Sequence, residues 1–390
     1  MVAFELVEIF VASLAMATML VVTRRLHGRW TGDFEDSGLQ KHHKGAPPRI
    51  GLLAPLTGLL IALCLLSNNG GAERSELSRM LGLIVVCGLP AALIGLVEDI
   101  TKKVRARWRL LFPVLGAGLA IVLMGTAIPR VGLPLLDTVV AWAPLSIGLT
   151  LLLVCGFTNA MNIVDGLNGL ASGLTLLMLA ATAIAAHQAH DALIVQLCAM
   201  TAMAVLGFVV VNFPRGLIFL GDGGAYFLGF VMVQIWILLV IRNPGQISPW
   251  FIMAVAFHPT METIFSIVRR KLRVRRNSAT APDRLHLHTL VYRRRTRPLL
   301  AHYQWAKPWM GNSLASLAVL AMAALPMFGA LINPANTSSN IAVIATATLV
   351  FLGAFRHMVL FRSRTETLAP SDDEASVQTN AKSVDTSRVY

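Results

Sequence analysis

Charge is what this chain has least of. Asp, Glu, Lys and Arg make up 14% of its 390 residues, against 55% hydrophobic residues and a mean hydropathy of +0.66. A soluble domain carries about 25% charged residues, so too little polar surface exists here to coat a water-soluble globule. Cysteine is also scarce. Cys64, Cys87, Cys155 and Cys198 each sit inside an apolar run without ligand spacing, which excludes a disulfide framework and a cysteine metal site. The first apolar run lacks the basic leader of a signal peptide and carries Glu5 and Glu8 instead, so it reads as a retained helix. Nothing resembles a nucleic-acid module, despite a net charge of +13. The chain is expected to be an integral membrane protein.

Apolar runs of spanning length are abundant. They lie near 4–23, 50–67, 80–97, 109–128, 139–158, 170–187, 192–211, 224–241, 249–268, 312–331 and 339–356. A bilayer span needs about 20 mostly apolar residues. The expected fold is therefore all-α, with about eleven transmembrane helices in a membrane-embedded domain over 1–362. Residues 363–390, rich in Ser, Thr, Asp, Glu and Ala, read as a disordered tail. Of the 33 Lys and Arg, 29 fall in loops on one side of this arrangement and 4 on the other. The positive-inside bias puts the first set in the cytoplasm, the N-terminus in the periplasm and the C-terminus in the cytoplasm. The excess charge then belongs at a membrane surface, where it suits anionic lipid and phosphate.

Acidic residues in or against a membrane are costly and are functional candidates by default. Glu98, Asp99, Asp165 and Asp222 fall at or just beyond the cytosolic ends of three expected helices, and Glu262 about two turns inside another. Glu98-Asp99 needs a cation or shared proton between its carboxylates; Lys102 and Lys103 could supply it at a plain helix end, or the group could hold Mg²⁺ or phosphate. In Asn159-Ala160-Met161-Asn162-Ile163-Val164-Asp165-Gly166-Leu167-Asn168-Gly169, amides, a carboxylate and glycines interrupt apolar sequence. Such residues offer oxygen and N–H groups at close backbone approach. Phe219-Leu220-Gly221-Asp222-Gly223-Gly224 rings one carboxylate with glycines, as a site for a hard cation and phosphate would. Asp283-Arg284-Leu285-His286-Leu287-His288 pairs histidines beside arginine, a set suited to an anionic ligand, with no third ligand at zinc spacing. A basic stretch over 41–51 contains Lys44 and Arg49. All five stretches fall on the same side of the membrane as the basic loops.

In this order the motifs resemble the polyprenyl-phosphate N-acetylhexosamine-1-phosphate transferases, the MraY/WecA family, and are closer to its WecA-like branch. The resemblance spans about 40–300: the Pro47-Pro48-Arg49-Ile50-Gly51 segment, the acidic pair, N-A-M-N-I-V-D-G-L-N-G-L, F-L-G-D-G-G and H-L-H. It implies a bacterial inner-membrane enzyme that transfers N-acetylhexosamine 1-phosphate, GlcNAc by default, from a UDP-sugar to undecaprenyl phosphate on the cytosolic face, priming a surface polysaccharide. UMP is released and Mg²⁺ is required, with Mn²⁺ the alternative. By motif match Asp222 is the principal metal ligand, and Asp165 with Asn162 lines the metal and nucleotide-sugar pocket. Glu98 and Asp99 act on the lipid phosphate, and His286 and His288 bind the sugar nucleotide. Lys44, Arg49, Lys102, Lys103, Asn159, Asn168 and Arg284 complete the expected substrate contacts. Three positions depart from the family pattern: Glu98 replaces an aspartate, Asn168 the second carboxylate of D-G-x-D-G, and Thr289 a histidine. A transporter would need midplane charges and an internal repeat, neither of which is found. A binding-only homologue is the other alternative. Oligomeric state is not encoded.

Overall fold

The computed structural model describes residues 3–32, 47–67, 71–273 and 285–360. Its helices are α1 (Ala3–Val22), α2 (Arg24–Thr31), α3 (Leu53–Ser67), α4 (Ala72–Thr101), α5 (Ala106–Met124), α6 (Pro134–Val140), α7 (Ala143–Val164) and α8 (Leu170–Gln188). They continue with α9 (Ala192–Asn212), α10 (Gly221–Arg242), α11 (Pro249–Val255), α12 (Phe257–Arg273) and α13 (Leu287–Val291). A π-helical turn (Tyr292–Thr296), α14 (Arg297–Ala301), α15 (Pro308–Leu331) and α16 (Thr337–Leu360) complete the series. Among the described residues β structure is limited to one bridge, Gly32 to Pro48. The tail over 363–390 lies outside them.

Each expected apolar run is helical, because the bilayer offers no partner for backbone N–H and C=O groups and the helix satisfies them internally. Among the described residues nine helices are long and apolar enough to cross a membrane, or ten if the bent pair α11–α12 is one span. The chain is a multi-pass membrane protein. Two runs differ from the sequence expectation of full straight spans. Helix α3 has 15 residues, about 22 Å, short of a core of about 30 Å. The run over 249–268 is bent by 76° between Val255 and Phe257. Pro259 explains the bend, since it has no N–H to give the Val255 carbonyl in the preceding turn.

Helix α10 is the centre of the bundle. Every residue from Gly221 to Val240 is buried, as expected of a helix that is apolar all round. It packs against α4, α7, α8 and α9. Outer helices instead turn side chains such as Val122, Leu152 and Leu349 outward, which in a membrane is a lipid-facing surface. The α4–α10 contact is made backbone to backbone. A Cβ added at Gly95 would collide with the Gly223 N–H, and one at Gly223 would lie 2.9 Å from the Leu96 nitrogen. Small residues permit this approach, and it sets the height of α4 against the start of α10.

Gly95→Ala is therefore expected to lower stability by about 2 kcal/mol through overpacking. Gly118→Ala, where a Cβ meets nothing within 4 Å, should leave stability unchanged or slightly raised. Thermal unfolding of both variants in detergent separates the two.

Candidate active site

The last turn of α4 carries Glu98 and Asp99 to the first turn of α10. Asp99 is 1% exposed. Its Oδ1 accepts the Asp222 N–H at 3.0 Å and its Oδ2 the Gly223 N–H at 3.0 Å. Two orphan donors of a buried helix start are thus satisfied by a carboxylate that also complements the positive end of the helix dipole. Gly221 takes a φ of +78°. A Cβ there would strike the Arg49 carbonyl and lie 2.5 Å from Asp99 Oδ2, so glycine is required for both conformation and space. Backbone bonds from Gly51 to Phe219 (3.0 Å), Leu52 to Leu220 (3.2 Å) and Phe219 to Pro48 (2.8 Å) lace the Arg49 segment to the same turn.

Arg49 lies between two carboxylates. Its Nη2 donates to Asp222 Oδ1 at 3.0 Å, and its Nε is 3.3 Å from Asp99 Oδ1. Arg109, one turn into α5, stands farther off, with Nη1 3.7 Å from Asp222 Oδ2 and 3.8 Å from Glu98 Oε1. The other Glu98 oxygen accepts the Val104 N–H at 2.8 Å, tying down the α4–α5 turn. Asp165 follows the last residue of α7 and joins this group. Burial pushes its carboxyl up to about 7; Arg49 opposes the shift, Asp222 and Asp99 add to it, and a backbone hydrogen bond from Gly221 opposes it. On α7, Asn162 Nδ2 donates to the Tyr226 hydroxyl at 3.0 Å, and half-buried Asn159 lies one turn earlier. Four carboxylates are thus gathered with two guanidinium groups.

The two histidines arrive from another side. Glu262, 2% exposed on α12, lies 3.3 Å from His286 Nδ1 and 3.5 Å from His288 Nδ1. The rings are parallel within 8°, with centroids 5.4 Å apart. A Cβ at Gly166 would be 2.7 Å from His288 Nε2, so His288 adjoins the Asp165–Gly166 turn, with His286 stacked beside it. His258 is buried with Nε2 unpartnered, and it lines a largely apolar cavity of about 420 Å³ between α15 and α16.

The structure brings Arg49, Glu98, Asp99, Asp165 and Asp222 together, with Asn159 and Asn162 beside them, His288 across Gly166 and His286 stacked on His288. Lys102 and Lys103 lie exposed on the α4–α5 turn. Asn168 is in a different setting. It is 1% exposed, its Nδ2 donates to the Pro214 carbonyl at 3.0 Å, and its own N–H donates to Asn312 Oδ1 at 2.7 Å. It braces the loop between α9 and α10. Lys44 and Arg284 lie outside the described residues. Sequence reasoning passed over Arg109 and Tyr226; an arginine one turn into an apolar helix was a usable signal, whereas a tyrosine among apolar residues was not. Among the described residues no three His, Cys, Asp or Glu side chains converge as a metal cage.

Comparison with known proteins bears directly on this geometry. Residues 81–240, which run from α4 through α10, match the family model described as glycosyl transferase family 4. Over that stretch the chain is similar to this family. A relative from Bacillus subtilis (strain 168), named a probable undecaprenyl-phosphate N-acetylglucosaminyl 1-phosphate transferase, is 28% identical over 287 residues, covering 73% of this chain and 76% of the relative. The decaprenyl-phosphate N-acetylglucosaminephosphotransferase of Mycobacterium leprae is 32% identical over 280 residues, covering 63% of this chain and 66% of the relative. The undecaprenyl-phosphate alpha-N-acetylglucosaminyl 1-phosphate transferase of Yersinia pestis is 27% identical, covering 74% and 76%. The carboxylates at 98, 99, 165 and 222 all lie inside the span matched to the glycosyl transferase family 4 model; Arg49 and the histidines lie outside it.

Arg49→Gln is expected to cost about 3 kcal/mol, because it strands two close carboxylates. Arg109→Gln, whose contacts are longer and half-exposed, should cost about 1 kcal/mol or less. Equal losses in denaturation experiments at low salt would contradict this order.

Proposed function

We propose that this protein transfers N-acetylglucosamine 1-phosphate from a UDP-linked sugar to undecaprenyl phosphate, releasing UMP. The observation that carries the reading is the group formed by Asp99, Asp165, Asp222 and Arg49 at the start of α10, with the histidine pair adjoining it through Gly166. It is supported by the names of the bacterial relatives. The product would serve as the lipid-linked primer of a cell-surface polysaccharide. The concentration of Lys and Arg in one set of loops supports a bacterial inner-membrane location with the site on the cytosolic face, the N-terminus outside and the C-terminus inside.

Phosphoryl transfer asks a protein mainly for position and charge. An oxygen of the lipid phosphate attacks the β-phosphorus of the donor. A new P–O bond forms to the lipid, the bond to the bridging oxygen breaks, and UMP leaves with that electron pair. The lipid phosphate monoester has a second pKa of about 6 and is largely dianionic at neutral pH. A strong general base is then unnecessary, and Glu98 and Asp99 act through placement: Asp99 fixes the α10 start, and Glu98 fixes the turn that presents Lys102 and Lys103. Arg49 and Arg109 supply donors for phosphate oxygens.

The donor set suits Mg²⁺, with Mn²⁺ the alternative. Its oxygens are hard ligands, four carboxylates stand with two arginines, and Mg²⁺ takes one or two carboxylates while substrate phosphates and water fill the rest. Asp222 and Asp165 would hold it, and the ion would neutralise the diphosphate. Asn162 is placed for the nucleotide sugar beside it.

The test is UMP release by purified protein in detergent, with undecaprenyl phosphate, Mg²⁺ and a panel of UDP-N-acetylhexosamines. Release should require lipid and metal, proceed with UDP-GlcNAc, and fall by about 100-fold or more in Asp222→Asn. Absence of release with every donor would overturn the reading. A labelled sugar phosphate retained on the protein without lipid acceptor would replace direct attack by a two-step route.

A further inference from the structure

Glu262 is a buried carboxylate that the reaction above does not use. It stands one turn beyond Pro259, where the 76° break has redirected α12 away from the line of α11. Four nitrogens face it, three of them within hydrogen-bond reach. Oε2 receives His286 Nδ1 and the Leu287 N–H, each at 3.3 Å. Oε1 receives the His288 N–H at 3.3 Å and faces His288 Nδ1 at 3.5 Å. Burial of an ionised carboxylate is tolerated only with such compensation. Arg269, further along the same helix, holds the Leu285 carbonyl at 2.6 Å and so fixes the approach of the histidine segment.

A carboxylate accepts hydrogen bonds and donates none. His286 therefore turns a protonated Nδ1 toward Glu262, and His288 turns the same ring edge to it, its Nδ1 standing at 3.5 Å without closing a hydrogen bond; in each ring Nε2 is the nitrogen farther from the carboxylate. The parallel rings have one carboxylate as their common origin. His288 Nε2 lies against Gly166, beside Asp165. A shared partner that sets both tautomer and ring direction is the arrangement found behind histidines whose other nitrogen must meet a ligand.

We propose that Glu262 is a positioning residue for nucleotide-sugar binding, acting through His286 and His288 by fixing both rings, with His288 Nε2 held at the Asp165–Gly166 turn. The inference rests on the reading of this site as a nucleotide-sugar site, and it adds a residue from outside the histidine motif.

The test compares Glu262→Gln, Glu262→Asp, His286→Asn/His288→Asn, and the last combined with Glu262→Gln. Measured are KM for UDP-GlcNAc, KM for undecaprenyl phosphate, kcat, UDP binding by calorimetry and thermal stability. Glu262→Gln should raise KM for UDP-GlcNAc and weaken UDP binding by about tenfold, the size of one lost charge-assisted hydrogen bond. The lipid KM should stay within about twofold, and Glu262→Asp should recover part of the loss. Added to the double histidine variant, Glu262→Gln should produce no further rise, since its effect passes through rings already removed. An undiminished further rise there, or an unchanged KM and UDP affinity in a stable Glu262→Gln protein, overturns the proposal. If the wild type binds UDP but transfers nothing, the transferase reading falls, while the UDP affinities of the same four variants still decide the role of Glu262.

Discussion

The start of α10 is the constraint on which the rest of the molecule depends. A helix buried from Gly221 to Val240 must satisfy its first N–H groups without water. It does so with a carboxylate from another helix, each Asp99 oxygen taking one N–H at 3.0 Å. That solution dictates its neighbours. Asp99 reaches the two N–H groups only if α4 approaches α10 at backbone distance, which Gly95 and Gly223 allow, and only if the chain enters the helix through a left-handed residue, which Gly221 supplies. The glycines around Asp222 thus serve the cap first. The position of the Asp222 carboxylate, beside Arg49 and Asp99, is a consequence of it.

The same cap creates an electrostatic problem that the site exploits. Asp99, Asp165, Asp222 and Glu98 crowd one place, and Arg49 meets the two nearest of them at 3.0 and 3.3 Å. Arg109 remains at 3.7–3.8 Å, a distance at which an ion pair is loose and easily recruited by another anion. Such a group sets four carboxylates against two arginines, and burial pushes the Asp165 carboxyl up to about 7. On the reading proposed above, a group of this kind would receive a ligand that brings both a divalent cation and phosphate. Neither an apolar substrate nor a bare anion would balance it.

The sequence revealed the elements that obey local rules. Apolar runs became helices, and several of the Asp, Asn and Gly residues that interrupt them, Asp99, Asp165 and Asp222 among them, came together as the candidate site. What stayed hidden was set by distant partners. Tyr226 reads as one more apolar residue until Asn162 meets its hydroxyl. Glu262 reads as an odd acid inside a helix until the histidine segment, 24 residues later, closes on it. The bend at α11–α12 was signalled by His258-Pro259-Thr260, which interrupts the apolar run just where the helix turns.

The two acidic positions that depart from the family pattern become intelligible in the same terms. Asn168 is not turned toward the carboxylates; it is packed where its Nδ2 must donate to the Pro214 carbonyl and where Gly216 leaves room for its amide. An ionised aspartate has no donor to give and would place a second charge against a carbonyl oxygen, so at this position the amide serves the fold. Glu98 splits its oxygens between the Val104 N–H at 2.8 Å and Arg109 at 3.8 Å. Its extra methylene lets it tie the α4–α5 turn while still facing the arginine. The loss of a carboxylate at 168 and the longer side chain at 98 therefore leave Asp99, Asp165 and Asp222 in place, and these are the groups that the geometry of the α10 start brings together.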